Sequence, residues 1–381
     1  MKYRLVELLQ CVRCQGGLDL CNVETRLAPN ASGQIFPCER YCSLDGTTTI
    51  PAPSRCAECV ETEIVTGTLR CRQCREEFHI VHSVPWLFKE RAGLSGSLLS
   101  NTVRLYSRLW SGGHRASAHT EPTHVGAVEE TLSEPVVRGQ IGIDAGSGCG
   151  SDTAVMARRH PSVEVVSLDM SEGVYATQQR TEGMPNVHVV RGSVLSIPLR
   201  SEVCDFGYSF GVLHHTTDPL QGLKEIVRVL KPGGCVSLYL YEDHADSPWK
   251  AIPLKAVTAL RRCTVRLNTR VLSALCYILS PFVVIAFSVP AQIMRRFGAT
   301  RAIADQMPFN FGTTLFSVHG DLLDRFGAPI EVRYSREGVA ELLRACQLTG
   351  VSIAKLKTLA GWVVSGLKSV ANRANEREGR P

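Results

Sequence analysis

Residues 140–154, QIGIDAGSGCGSDTA, decide the fold. A short β-rich run ends at Asp144-Ala145, glycine recurs at Gly146, Gly148 and Gly150, and helical sequence begins near Ser151. Glycine lacks a Cβ, so a loop of this kind lets backbone N–H groups approach a ligand at a helix N-terminus. The next strand ends at Asp169, 19 residues past Gly150, the spacing of a carboxylate that accepts hydrogen bonds from ribose hydroxyls. Loop and acid together point to an adenosine-containing cofactor.

Working outward, β-rich runs alternate with helical patterns: QIGIDA (140–145), VEVVSLD (163–169), VHVVRGS (187–193), VCDFGYSF (203–210) and CVSLYLY (235–241). Near-continuous apolar strands separated by helices predict an α/β fold with a doubly wound, mostly parallel sheet. Asp218 as N-cap and Pro219 as first helical residue open the clearest helix, and Lys231-Pro232-Gly233-Gly234 ends it. Ser335 caps a later helix through Leu342 and Leu343. Two closely spaced strands, SIAKLKTLA and GWVVSGL, then predict an antiparallel pair at the sheet edge, for seven strands in all. The expected organisation is a cysteine-rich head (1–88), a helical bridge (89–138), a core (139–241), a basic and apolar helical insertion (242–330) and the C-terminal part of the core (331–381).

A dinucleotide fingerprint wants Gly or Ala three residues after its second glycine. Counted from Gly148 that place is Ser151, and Gly150 falls one residue early, so the spacing favours S-adenosylmethionine (SAM) over a dinucleotide. The segments IGIDAGSGCGSDTA, VVSLDMSEG, NVHVVRGSVLSIPL and CDFGYSFGVLHHTTDPLQGLKEIVRVLKPGG, with the final strand pair, resemble in order the motifs of class I SAM-dependent methyltransferases, most closely the UbiE-like branch. The resemblance implies a Rossmann-like methyltransferase sheet. It assigns Asp144, Gly146, Gly148 and Gly150 to the methionine part of the cofactor, Asp169 and Met170 to the ribose, and Gly192, Ser193 and Val194 to adenine. Ser209, on the fourth motif, joins this cofactor-binding set. The family usually carries Asp where this sequence has Ser193, a shorter and uncharged partner for an adenine edge.

Methyl transfer from a sulfonium is an in-line displacement that depends on positioning, and a base is optional. His214 is the candidate general base, with His215 second, because an imidazole accepts a proton near neutral pH at the sheet edge where ligands bind. The competing reading is a His pair that packs and hydrogen-bonds beside the cofactor.

Nine of the 15 cysteines lie in the first 74 residues. Cys11-x-x-Cys14 and Cys71-x-x-Cys74 have the spacing of paired knuckles that give four thiolates to tetrahedral Zn²⁺. Cys38, Cys42, Cys56 and Cys59 offer a second such set, leaving Cys21 over. An odd count, repeated two-residue spacings and an N-terminus without a signal-peptide pattern argue against disulfides and against secretion. The expected location is cytoplasmic. LVELLQCVRCQGGLDL and LRCRQCREEFHIVHSVPWLF resemble the two halves of the zinc-ribbon activator subunits of tRNA methyltransferases, while residues 21–60 depart from that pattern. Four thiolates leave no open coordination position, so the zinc is expected to be structural.

The net charge of +6 is concentrated: positions 250–301 hold nine Lys or Arg and no Asp or Glu. Within them, Val271–Met294 runs 24 residues without a charge. Length admits a membrane-spanning helix, but Pro281, Pro290 and cations at both ends weaken it. The other two readings are a pair of buried or lid helices packed over the substrate pocket, and an interfacial element in peripheral contact with anionic lipid. The sequence therefore predicts a SAM-dependent methyltransferase for a small or lipid-like acceptor, at oxygen, carbon or nitrogen. An RNA methyltransferase that uses its zinc ribbon on ribosomal or transfer RNA is the second choice, and a non-catalytic SAM-binding scaffold the third. No dense basic surface with interleaved aromatics marks the head for nucleic acid.

Overall fold

The computed structural model describes residues 1–28, 35–48, 53–88, 98–111, 124–132, 136–305, 307, 309, 315–356 and 361–370. The head supplies α1 (Arg4–Leu8), β1 (Leu18–Leu27), α2 (Pro53–Glu61), β2 (Thr62–Cys71), β3 (Glu77–Val81) and β4 (Val84–Leu87). The bridge supplies α3 (Leu98–Ser111) and α4 (His124–Glu129). Then come β5 (Ile141–Ala145), α5 (Ser151–Arg159), β6 (Glu164–Asp169), α6 (Gly173–Arg180), β7 (Val187–Gly192), β8 (Cys204–Phe210), α7 (Pro219–Val229) and β9 (Leu230–Leu240). The insertion comprises α8 (Pro248–Thr264), α9 (Thr269–Val283), a π-helical turn over Val284–Ser288, α10 (Val289–Arg295), α11 (Arg301–Ala304) and α12 (Leu315–Gly327). The chain closes with α13 (Arg336–Ala345), β10 (Leu348–Lys355) and β11 (Trp362–Lys368).

The five core strands pair in parallel in the order β7-β6-β5-β8-β9, and β11 and β10 extend them antiparallel, which gives the expected seven strands. The local signals hold. Asp218 Oδ1 accepts the Gln221 N–H at 2.9 Å, and Ser335 Oγ accepts the Gly338 N–H at 3.1 Å. Each satisfies a backbone donor that the helix leaves without an internal partner. Part of SIAKLKTLA, residues 357–360, lies outside the described residues, as do 89–97, 112–123 and 133–135 of the bridge.

The head does not stand apart from this sheet. β1, β2, β3 and β4 form an antiparallel meander, and β4 then pairs in parallel with β7 through Trp86↔Arg191 and Leu87↔Gly192, so that eleven strands share one sheet. β7 is the outer parallel strand, and its unpaired edge accepts the ribbon's last strand. Helix α1 is buried along its length, and Leu5 and Leu9 join the same apolar core as Ile143, Leu168 and Val190. Polar links reinforce the junction. The Arg4 guanidinium meets Glu164 of β6 at 3.1 Å, Glu164 meets His188 of β7 at 2.9 Å, and Glu7 accepts the N–H groups of Glu39 and Arg40. Burial raises the Glu164 pKa, but the hydrogen bond from His188 and the charge of Arg4 outweigh it and hold the carboxylate below its usual range.

The insertion attaches differently. α9 and α10 present a narrow seam, Leu272, Cys276, Ser280, Ser288 and Ala291, to the rest of the molecule. Leu272 and Cys276 pack with Leu105 and Leu109 of α3 and Val318, Leu322 and Leu323 of α12. Most other large side chains of α9 and α10 are exposed, including Ile278 (61%), Phe282 (67%) and Ile285 (70%). The sequence reading of buried helices is therefore corrected: five of the 27 residues of Thr269–Arg295 are buried, because the seam is a single ridge and, among the described residues, nothing covers the remaining faces.

Candidate functional site

The site forms where β5, β6, β7 and β8 end. Gly146 and Gly148 have φ of +100° and +56°, a region costly for other residues, and a Cβ on Gly146 would sit 2.3 Å from Val212. The loop they form is tied to its neighbour. Asp169 Oδ2 accepts the Gly148 N–H at 2.9 Å and Oδ1 accepts the Ser171 N–H at 2.7 Å. A carboxylate has about four acceptor positions, so Asp169 retains capacity for two hydroxyls. Ser147 Oγ is buried without a hydrogen-bond partner among the described residues. A close-approach cradle, an acid with spare acceptor capacity and an orphaned hydroxyl fit the amino-acid and ribose parts of SAM.

These groups line one wall of a cavity of about 210 Å³, together with Met170, Gly192, Ser193 and Val194. The other wall is Leu99, Thr102, Val103, Tyr106 and Trp110 of α3, with His124, Phe210 and His215. Ser193 Oγ accepts the Leu195 N–H at 3.2 Å and so turns its own loop. The head reaches this place too, since Leu87 pairs with Gly192 and the Arg191 guanidinium stacks 4.5 Å above the Trp86 ring.

Three residues assigned to the cofactor, Asp144, Gly150 and Ser209, lie behind the wall rather than on it; Gly150 is buried with φ of +75°, where a Cβ would sit 2.5 Å from Thr177. Asp144 is buried, accepts the Thr153 hydroxyl at 2.5 Å and supports the first turn of α5; burial pushes its pKa up to about 8. Ser209 is buried and donates to the Ala145 carbonyl at 2.7 Å, which fastens β8 to the end of β5.

The His pair divides. His214 is fully buried, its ring centroid lies 3.8 Å from that of Tyr241, and neither ring nitrogen has a partner among the described residues. Burial, and the charges of His215 and Arg333, hold its pKa well below the usual imidazole value. His215 is on the cavity wall. Its Nδ1 lies 2.8 Å from the Ile330 carbonyl, which can only accept, so Nδ1 carries a proton and donates it there. Asp324 Oδ1 stands 3.9 Å from Nε2 and accepts the Tyr106 hydroxyl at 2.6 Å; Oδ2 accepts that of Tyr241 at 3.3 Å. Tyr106 and Asp324 were not recognisable from sequence, because they come from the bridge and from the insertion and meet only in the fold. His124 was also missed. Its Nδ1 lies 3.0 Å from Asp152; burial lowers its pKa, but Asp152 and Asp144 outweigh that and raise it.

In the head, Cys11, Cys14, Cys71 and Cys74 bring their sulfurs within 4.8 Å of one another, with 3.6 Å between Cys11 and Cys74 and 3.4 Å between Cys14 and Cys71. Tetrahedral thiolates about 2.3 Å from zinc stand roughly 3.8 Å apart, so the group fits that ion. The Arg13 and Gln73 N–H groups point at the Cys11 and Cys71 sulfurs, each at 3.4 Å. Among the described residues no second group of ligands is gathered in this way. Cys42 sits in a turn closing on Thr47 with its sulfur 3.9 Å from Asp45, whereas Cys56 and Cys59 lie on α2 and Cys38 precedes that turn. Burial pushes the Cys38 thiol up to about 12 and that of Cys59 to about 11.

The order of the seven strands, the glycine cradle and the acid at the end of β6 define a Rossmann-like methyltransferase domain. Comparison with known families adds the rest: residues 143–238 match the family described as a methyltransferase domain, and residues 2–82 match the Trm112p-like proteins. Residues 143–238 are thus similar to methyltransferase domains and residues 2–82 to Trm112p-like proteins. A stretch of 98 residues is 39% identical to an uncharacterized 37.1 kDa protein in a Streptomyces fradiae transposon, covering 25% of this chain and 28% of that protein. A stretch of 104 residues is 35% identical to demethylmenaquinone methyltransferase of Staphylococcus aureus, covering 26% of this chain and 43% of that enzyme. The chain spans less than half the length of either relative. A solved complex containing the Haloferax volcanii Trm112 methyltransferase activator superposes with a TM-score of 0.41 at 14% identity, covering 70% of this chain and 98% of that one.

Proposed function

We propose that this protein is a SAM-dependent methyltransferase for a small, lipophilic acceptor. The observation that carries the reading is one cavity with two kinds of wall, the glycine cradle and Asp169 on one side and the largely apolar α3 face with His215 on the other. SAM, when bound, supplies an electrophilic methyl group. Asp169 holds the ribose hydroxyls, the Gly146–Gly148 loop admits the amino-acid end, and Gly192, Ser193 and Val194 border the adenine. Tyr106, Trp110 and Phe210 exclude water and orient the acceptor. His215 rather than His214 takes the acceptor's proton on Nε2, since only His215 reaches the cavity, and the Asp324 carboxylate stabilises the resulting imidazolium. Four thiolates of the head hold a structural zinc.

Calorimetry with SAM, followed by transfer of radiolabelled methyl to a lipophilic phenol or quinol and to bulk tRNA, tests this reading. Label in the phenol or quinol supports it. A protein that binds no SAM overturns it. His215→Gln should lower turnover by about 10² to 10⁴-fold with SAM affinity kept, the range for a lost general base. The match of residues 2–82 to Trm112p-like proteins favours one second reading, an RNA substrate presented by the head; label in tRNA alone would establish it.

A further inference from the structure

The helical arm formed by α8 to α11 leaves an apolar surface that no other described residue covers. Along α9, the π-helical turn and α10, Val271, Leu275, Tyr277, Ile278, Phe282, Ile285 and Ile293 are all exposed. Contiguous apolar surface of this extent on a folded chain marks an interaction site. Its rim is cationic. Of the nine Lys and Arg residues in 250–301, Arg261 is committed to Glu331 at 2.5 Å and Arg295 to Asp305 at 2.9 Å. The other seven, Lys250, Lys255, Arg262, Arg266, Arg270, Arg296 and Arg301, are exposed.

We infer that this arm is a docking surface for one leaflet of an anionic membrane, lying in the plane of the bilayer. Charge complementarity selects the occupant. Cations flank both ends of the apolar helix, at Arg262, Arg266 and Arg270 and again at Arg296 and Arg301, so a second copy placed on this face in either orientation sets cation against cation. An anionic leaflet meets both ends with opposite charge while its acyl region takes up Ile278, Phe282 and Ile285. Packing selects the orientation. The helical run Thr269–Arg295 has 27 residues, about 40 Å at 1.5 Å per residue, which is long enough to span. Yet its buried seam lies on α12, which carries Asp321, Asp324 and Arg325, and a spanning arm would draw these into hydrocarbon. In the plane of the leaflet they stay on the protein side. The seam also packs on Leu105 and Leu109 of α3, whose other face lines the cavity, so docking brings the membrane within one helix of the site. The inference holds whatever the cavity methylates.

Sedimentation of the full-length protein with vesicles of phosphatidylglycerol and phosphatidylcholine, or of phosphatidylcholine alone, tests it. Binding to the anionic vesicles should exceed binding to the neutral ones by at least about tenfold, and fall about tenfold in Arg262→Glu/Arg266→Glu, where two attractive charges are reversed. Ile278→Ser/Phe282→Ser/Ile285→Ser should abolish binding in high salt while SAM affinity and the melting transition stay unchanged, which shows that the variant is folded. No binding to anionic vesicles at low salt overturns the proposal. So does vesicle-free self-association, by sedimentation velocity, that the triple-serine variant abolishes, because the face would then be a contact between copies. Orientation is read separately with single Trp substitutions at Val271, Ile278 and Ile293 and brominated lipids. Equal, shallow quenching at all three supports an in-plane arm, and quenching deepest at Ile278 overturns it in favour of a span.

Discussion

Two regions flank the catalytic sheet and are joined to it by contrasting physics. At the head, β4 hydrogen-bonds β7, Leu5 and Leu9 enter the main core, and the buried Arg4, Glu164 and His188 bridge the junction. At the arm, a single ridge rests on α3 and α12 while the larger apolar side chains face outward. Both regions are additions to a methyltransferase core. The head buries most of its described hydrophobic residues and the arm few, so substitutions should separate the two sharply.

Zinc removal should have the largest effect. Structural thiolate sites contribute on the order of 10 kcal/mol to folding, so chelation should unfold the head, and it should also weaken SAM binding because Leu87 pairs with Gly192 beside the cavity. Metal analysis, circular dichroism and calorimetry before and after chelation check this; an intact spectrum with no metal would break the contrast. Next, Arg4→Ala strips Glu164 of its charged partner in a buried place and should cost about 3–5 kcal/mol in denaturant unfolding. Asp169→Ala should weaken SAM binding by about 1.5–3 kcal/mol, the range for hydrogen bonds to a charged group, and leave the head's zinc in place. His214 sharpens the picture through pH. Its folded pKa lies below that of the unfolded chain, so the neutral ring's contribution is present above about pH 6.5 and is lost as pH falls below it. His214→Phe should therefore show a shallower loss of stability between pH 6.5 and 5 than the parent, by thermal unfolding in a pH series. The smallest effect belongs to the arm: Ile278→Ser should change stability in solution by no more than about 0.5 kcal/mol, since the side chain is 61% exposed.

What was legible in the sequence was local. Gly146, Gly148 and Gly150 announce a backbone that other residues resist, and Asp218 and Ser335 announce helix starts, because these constraints act within a few residues. The strand sequence and the pairing of β10 with β11 follow from apolar runs and their spacing. The choice between His214 and His215 was not legible. They are adjacent in a short 3₁₀ turn, and one step along it moves a ring from the core to the cavity wall. Tyr106 and Asp324 are 218 residues apart in sequence and carry no shared pattern before the chain folds. The second cysteine set had ligand-like spacing, but spacing cannot say whether four sulfurs that come into electrostatic reach of one another close up as tightly as those of the first set. Nor does an uncharged run announce which of its faces will be covered; that is set by α3 and α12, which pack on Leu272 and Cys276.

The β4–β7 pairing also sets an order of events during synthesis. β4 is complete at Leu87, but the strand it adds to is not made until Gly192, so about 100 residues must follow before the ribbon's last strand has its partner. Until then β4 is an open sheet edge, the kind of template that recruits wrong partners. Cys71 and Cys74 emerge before that edge does, and with Cys11 and Cys14 they complete the four-sulfur site within the first 74 residues. Metal capture can therefore come first, fixing the ribbon while the rest of the chain is still being made.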